Sequence, residues 1–355
     1  MAVVTDPTLG TGKTIGKYFG IVSVVPSVLL TGWLFVVFAT GAAGGTPSAA
    51  QAFRAIKDLS IAGVIALFAF ALLAALALHP LQFAIVQFLE GYWGDNPLMR
   101  ALRLRRTLVH LHRLNDAYAL LARSAPEVEP DLTTAEMLTS DELTRDPLRA
   151  AALVADLITA ENSGATTLRY PTAPEHVMPT RLGNVLRRHE MRAGAPYGLS
   201  LLSTSTMLGL VASPTHVAYL NDRRSELDLA ARMCAVGLAG TAVTGAVMWP
   251  HGLWLLLAGG PYLLAWLSYR GAVVSAGHYG QALEALVSLN RFALYDALRL
   301  QQPSTPAREK KQNRDFATLL EGLDPKTLLY KHPTWPVVGG EGSGGGIGQR
   351  ATSAS

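Results

Sequence analysis

Apolar positions are gathered into four long runs, with hydrophilic sequence between and after them. From Met233 to Tyr269 no acidic or basic residue occurs, and the run is broken only by Trp249-Pro250-His251-Gly252, which reads as the turn of a hairpin. A second pair, Tyr18 to Ala39 and Leu59 to Leu78, is bounded by Lys17 and by Lys57-Asp58. Tyr18 to Ala39 is about 22 residues, or roughly 33 Å of helix, against a hydrocarbon core of about 30 Å. The pattern predicts an all-α fold: four transmembrane helices as two hairpins, a helical cytoplasmic domain between them, and a cytoplasmic C-terminal helical extension. The expected segments are a cytoplasmic N-terminal tail over 1–17, the first hairpin over 18–80, the helical domain over 81–228, the second hairpin over 229–269, the extension over 270–330 and a disordered Gly/Ser-rich tail over 331–355.

Breakers and caps sharpen this outline. Pro26 is expected to kink the first span, and Gly41 to Lys57 to form a loop; cleavage of the first run as a signal peptide stays open, because Ala39 to Ala43 offers small residues. Beyond the second run, Phe83 to Trp93 carries aromatics where an interfacial belt is expected. Pro97 can open a helix with Leu98, Leu102, Leu108, Leu111, Leu114 and Leu121 as its apolar positions. On that helix Arg100, Arg103, Arg106, His110 and Arg113 recur every three or four residues and form one basic stripe, suited to anionic lipid head groups. Pro126 to Asp146 is acidic and reads as a loop; Pro147 to about Ala160 is a helix stopped at Gly164. Thr180 is the expected N-cap of a helix to about Arg192, which carries Arg181, Asn184, Arg187 and Arg188 as candidates for an anionic or protein partner. Gly194 to Leu210 is mildly apolar, and a helix from about Thr215 leads into the third span. No breaker separates the fourth span from an amphipathic stretch reaching about Leu300; a short charged helix with Phe316, Leu319 and Leu320 follows.

Charged residues are only 16% of the chain, against about 25% in soluble domains, and the deficit lies in the four runs. The net charge of +4 does not call for nucleic acid, since the basic residues cluster beside the spans, as the positive-inside rule expects. Arg100 to Arg113, Arg223, Arg224 and Arg232 place the middle segment in the cytoplasm, with both hairpin tips outside an inner (plasma) membrane. The single cysteine, Cys234, excludes an internal disulfide and a cysteine-based metal site.

Catalytic patterns fail on inspection. Leu9-Gly10-Thr11-Gly12-Lys13-Thr14 lacks the first glycine of a P-loop, where Pro7 stands. His189-Glu190 has no second histidine at Ala193, and His110 and His112 point to different sides of a helix. No cofactor and no metal is expected.

Leu89-Glu90-Gly91-Tyr92-Trp93, the segment Pro179 to Arg187, Tyr197-Gly198-Leu199 and Asn290 to Tyr295 together resemble a family of actinobacterial multi-pass membrane proteins. The resemblance covers most of residues 15–300 and implies the same topology. That family has no assigned catalytic residue to carry over, and where its members continue with an acidic and aromatic stretch after Tyr-Gly-Leu, this chain has Ser200 to Thr206. The leading functional expectation is a membrane anchor or scaffold presenting the helical domain to a protein partner, with self-association open. An oligomeric pore and a membrane-bound enzyme acting on a lipid or nucleotide are the alternatives.

Overall fold

A computed structural model describes residues 24–124, 169–323 and 328–331. Among them every extended element is helical, apart from one isolated bridge between Leu300 and Tyr330. In chain order the α-helices are α1 (Val25–Ala39), α2 (Ala49–Lys57), α3 (Ile61–Leu78), α4 (Gln82–Glu90), α5 (Pro97–Ser124), α6 (Arg181–Gly194), α7 (Leu201–Val211), α8 (Pro214–Met248), α9 (Gly259–Ala297) and α10 (Pro306–Leu320). The expected N-terminal tail, the acidic loop Pro126 to Asp146, the helix from Pro147 and the tail from Gly339 lie outside the described residues.

The frame is the pair α8 and α9, of 35 and 39 residues, or about 52 and 58 Å of helix. Ser213 caps α8 by accepting from His216 N–H, and Pro214 occupies the first turn, where its missing donor does no harm. The 3-10 segment Trp249–Ala258 reverses the chain, with Gly252 at φ +58. As the absence of a breaker predicts, α9 runs unbroken through Arg270. From Met233 to Tyr269, on both sides of the turn, the pair carries no acidic or basic side chain; the charges begin at Arg232 and Arg270 and continue toward the far ends.

At the apolar end α1 packs on α8, where Trp33 Nε1 donates to Thr244 Oγ1 at 2.9 Å. Val37, Ala42 and Met248 form a small core there with Trp33 and Trp254. A ring nitrogen of His251 lies 3.1 Å from the Ala42 carbonyl, so the turns of the two hairpins meet at one end of the molecule.

Two helical stretches are long and apolar enough to cross a membrane, Ile61–Leu78 with mean hydropathy 2.8 and Pro214–Ala297 with 1.4. Four separate spans are expected from the sequence; two stretches meet the length and hydropathy needed, the second of them taking in α8, the turn and α9 together, and the described part of the first run is an apolar helix of only 15 residues. Pro26 lies in the first turn of α1, at the edge of the described residues. Only 11% of Ile61–Leu78 is buried, and Ile61, Ile65, Phe68, Phe70 and Leu73 point outward. The core helix of a water-soluble protein would bury those side chains.

Two expectations need correction. Gly41 to Lys57 is not all loop: its second half is α2, where Arg54 and Lys57 near the C-terminus favour a helix end. Nor are the apolar positions of α5 all inward: Leu114 is buried and Leu111 half-buried, whereas Leu98, Leu102 and Leu108 are exposed. Leu111 and Leu114 pack against Tyr170 and Val177, a strip too short to cover the whole helix.

At the polar end, Leu182, Val185 and Leu186 of α6 pack with Leu89, Leu227, Ala272, Ala276 and Tyr279. A second core joins Leu199 and Leu208 to Leu283, Val287 and Leu294 of α9. The charged helix α10 is held to α9 by a buried polar network. Asn313 Nδ2 donates to Tyr295 OH at 2.7 Å, leaving the phenol proton for Glu309 Oε1 at 3.2 Å, while Arg291 Nε donates to the same carboxylate oxygen at 2.9 Å. The Arg291 guanidinium also lies 4.3 Å from the centre of the Tyr197 ring. Tyr295→Phe removes a donor facing a buried acceptor and should cost about 1–2 kcal/mol. A lower unfolding midpoint of the purified variant checks this; an unchanged midpoint contradicts it.

Candidate functional site

The site is a joint between two segments about 90 residues apart in sequence, Leu89 to Trp93 and Pro179 to Arg187. Helix α4 ends at Glu90, and Gly91 takes the left-handed C-cap conformation at φ 104, donating to the Gln87 and Phe88 carbonyls. Thr180 does two things at once: its hydroxyl donates to the Glu90 carbonyl at 2.7 Å and accepts from Gly183 N–H at 3.0 Å, capping α6 as its residue type predicts. Gly183 sits so close that a Cβ there would lie 2.1 Å from the Glu90 carbonyl oxygen. One at Gly91 would lie 2.4 Å from Pro179 Cγ. Asn184 completes the joint, accepting from Met178 N–H and donating to the Met178 and Thr180 carbonyls, each at 2.8 Å.

A buried acid sits in this joint. Glu90 is 6% exposed, and burial, reinforced by the nearby Glu190 charge, pushes its carboxyl up to about 7. Glu190 is itself raised by burial, against the pull of Arg187, whose guanidinium is 3.7 Å away. The pair gives the joint a proton-accepting group near neutral pH, but the described residues include no group of three or more His, Cys, Asp or Glu that could hold a metal ion.

Beside the joint lies a basic surface built on a buried neutral histidine. His110 Nδ1 is 2.9 Å from Tyr170 OH, and burial, reinforced by Arg113, Arg106 and Arg181, pushes the imidazole down to about 4. The ring also makes a backbone hydrogen bond at Pro179, which has only a carbonyl to offer, so a ring N–H donates there. Nδ1 of the neutral ring then accepts from the Tyr170 hydroxyl. The Tyr170 carbonyl in turn accepts from Arg188 Nη1 at 3.0 Å.

The predicted site residues thus separate by role. Arg106, Arg113 and Arg181 are exposed around the His110–Tyr170 pair. Arg100 is exposed further along α5, and Arg103 stands 3.8 Å from Asp95. Asn184 is buried in the joint and Arg188 is buried against the Tyr170 carbonyl, so neither is placed to meet a partner. Arg187 is occupied with Glu190. His110, read from the sequence as part of the basic stripe, is buried instead, because its partner Tyr170 lies 60 residues on. Sequence reasoning missed Glu90, Glu190, Arg169 and Tyr170 as site residues; Glu90 had a signal, as a lone acid at the end of an apolar helix, whereas Arg169-Tyr170 had none.

No protein-family model, no curated protein and no solved structure matches the chain.

Proposed function

We propose that the protein is a scaffold of the plasma membrane that holds a helical cytoplasmic body for a protein partner. In this reading four spans form two hairpins, both tips are outside, and both termini are cytoplasmic. The observation that carries it is the polarity of the molecule along α8 and α9. The two hairpin turns meet at one end, while α4 to α7 and α10 gather at the other, where the arginines also lie. Arg100, Arg103, Arg105, Arg106 and Arg113 on one side outnumber Arg54 and Lys57 on the other, the asymmetry expected across a membrane. The outward-facing apolar surface of α3 supports lipid as its surroundings.

Membership in the actinobacterial multi-pass family belongs to the same reading: two of the segments that resemble it meet in the joint at Glu90 and Thr180. A joint of tightly fitted backbone fixes the body to the spans and suits a scaffold. Ion flux through liposomes containing the purified chain tests this against a pore, and the scaffold reading predicts flux no greater than in empty liposomes. Sustained flux would contradict it.

A further inference from the structure

Four exposed arginines from three separate parts of the chain surround the His110–Tyr170 pair. Arg106 and Arg113 flank His110 at spacings of four and three residues, so all three lie on one side of α5. Arg169 directly precedes Tyr170, and Arg181 stands two residues beyond Pro179, the backbone partner of His110. All four are exposed, and none makes an ion pair among the described residues. Like charges gathered on a buried scaffold repel unless an anion joins them.

The level of this surface along the molecule follows from its neighbours. Arg181 opens α6, and the next residue, Leu182, has its backbone N–H 3.4 Å from the hydroxyl of Tyr269, the last residue of the apolar hairpin run. One residue further, Arg270 lies 4.9 Å from the centre of the Trp266 ring, a pairing suited to the border between hydrocarbon and head groups. The start of α6 is therefore at the edge of the apolar region, not deep in the polar body.

We infer that Arg106, Arg113, Arg169 and Arg181 form one site for the phosphate of an anionic phospholipid head group at the cytoplasmic surface of the bilayer. This rests on the membrane reading above. Arginine suits the role because its planar guanidinium can donate two parallel hydrogen bonds to a phosphate and does not lose its charge. The neutral His110–Tyr170 pair sets the spacing of the arginines without adding charge of its own.

The test uses the purified full-length chain in a neutral detergent, titrated separately with short-chain phosphatidylglycerol, short-chain phosphatidylcholine and inorganic phosphate. Phosphatidylglycerol should bind, and changing Arg106, Arg113, Arg169 and Arg181 together to Gln should weaken it up to about a thousandfold, from the loss of four basic contacts at a lipid surface. The same four positions changed to Lys should bind at an intermediate strength, because the charge is kept and the paired hydrogen bonds to phosphate are lost. A charge-matched variant, Arg299→Gln, Lys310→Gln, Lys311→Gln and Arg314→Gln, should bind like the unaltered chain. Because the four site arginines are exposed, their variants should keep the lipid-free unfolding midpoint, which separates loss of binding from loss of fold. Unchanged binding after the four Gln substitutions, an equal loss in the charge-matched variant, or inorganic phosphate binding as tightly as the lipid would each overturn the site. Cysteine labelling of the topology is independent of this titration, so the lipid site can fail while the membrane reading stands.

Discussion

Gly183→Ala is expected to be among the most damaging single substitutions in the polar body, lowering stability by about 3 kcal/mol or more. The reason is the 2.1 Å separation between a Cβ at this position and the Glu90 carbonyl oxygen. A flexible side chain could move aside; here the obstacle is backbone, fixed by the Thr180 hydroxyl and by the end of α4. Relief would require α6 to shift away from α4, opening the core of Leu89, Leu182 and Leu186. Thr180→Ala should cost less, about 1–2 kcal/mol, since it removes a cap and one cross-joint hydrogen bond without a clash. Unfolding in detergent should rank the two in that order. A Gly183→Ala chain as stable as the original would mean that the joint is not tightly closed.

Glu90→Gln should stabilise the protein at pH 8 by up to about 3 kcal/mol and have little effect near pH 4.5. In the fold Glu90 keeps its proton up to about pH 7, against 4.5 for an ordinary glutamate. Below 4.5 the carboxyl is neutral whether the chain is folded or not, and the fold bears no penalty. As the pH rises from 4.5 to about 7, the unfolded chain releases the proton and the folded one retains it, so stability falls; above about 7 the penalty is complete and constant. His110 works in the opposite sense: its folded value of about 4 lies below the ordinary 6.5, so its contribution is whole above 6.5 and is lost as the pH falls toward 4. The two slopes overlap in the unaltered chain, but the difference between it and Glu90→Gln isolates the carboxyl. That difference should grow with pH between 4.5 and 7. Parallel stability curves would contradict the assignment.

The helices were legible where a local signal sets them. Thr180 as a cap, the unbroken run of α9 past Arg270 and the charged helix with Phe316 follow from residue type, breakers and apolar spacing alone. The joint was not legible, because it depends on which surfaces meet. Gly91 and Gly183 read singly as ordinary glycines, and only the approach of Pro179 and the Glu90 carbonyl explains why a larger residue would not fit. Periodicity identified the face of α5 that carries Arg106, His110 and Arg113 but could not say that the middle member turns inward to Tyr170. Helix α2 escaped notice because a segment rich in Gly, Ala and Ser resembles a loop, and its helical half is only 9 residues long.

The placement of the polar body and the hairpin turns on opposite sides of a membrane is tested most directly by cysteine labelling. Single cysteines at Ala43, Glu175 and Ser304, all exposed positions, would be introduced with the buried Cys234 changed to Ala. In intact spheroplasts a membrane-impermeant maleimide should label position 43 only, and positions 175 and 304 should react after the membrane is opened. Labelling of position 175 from outside would contradict the orientation and the cytoplasmic scaffold with it.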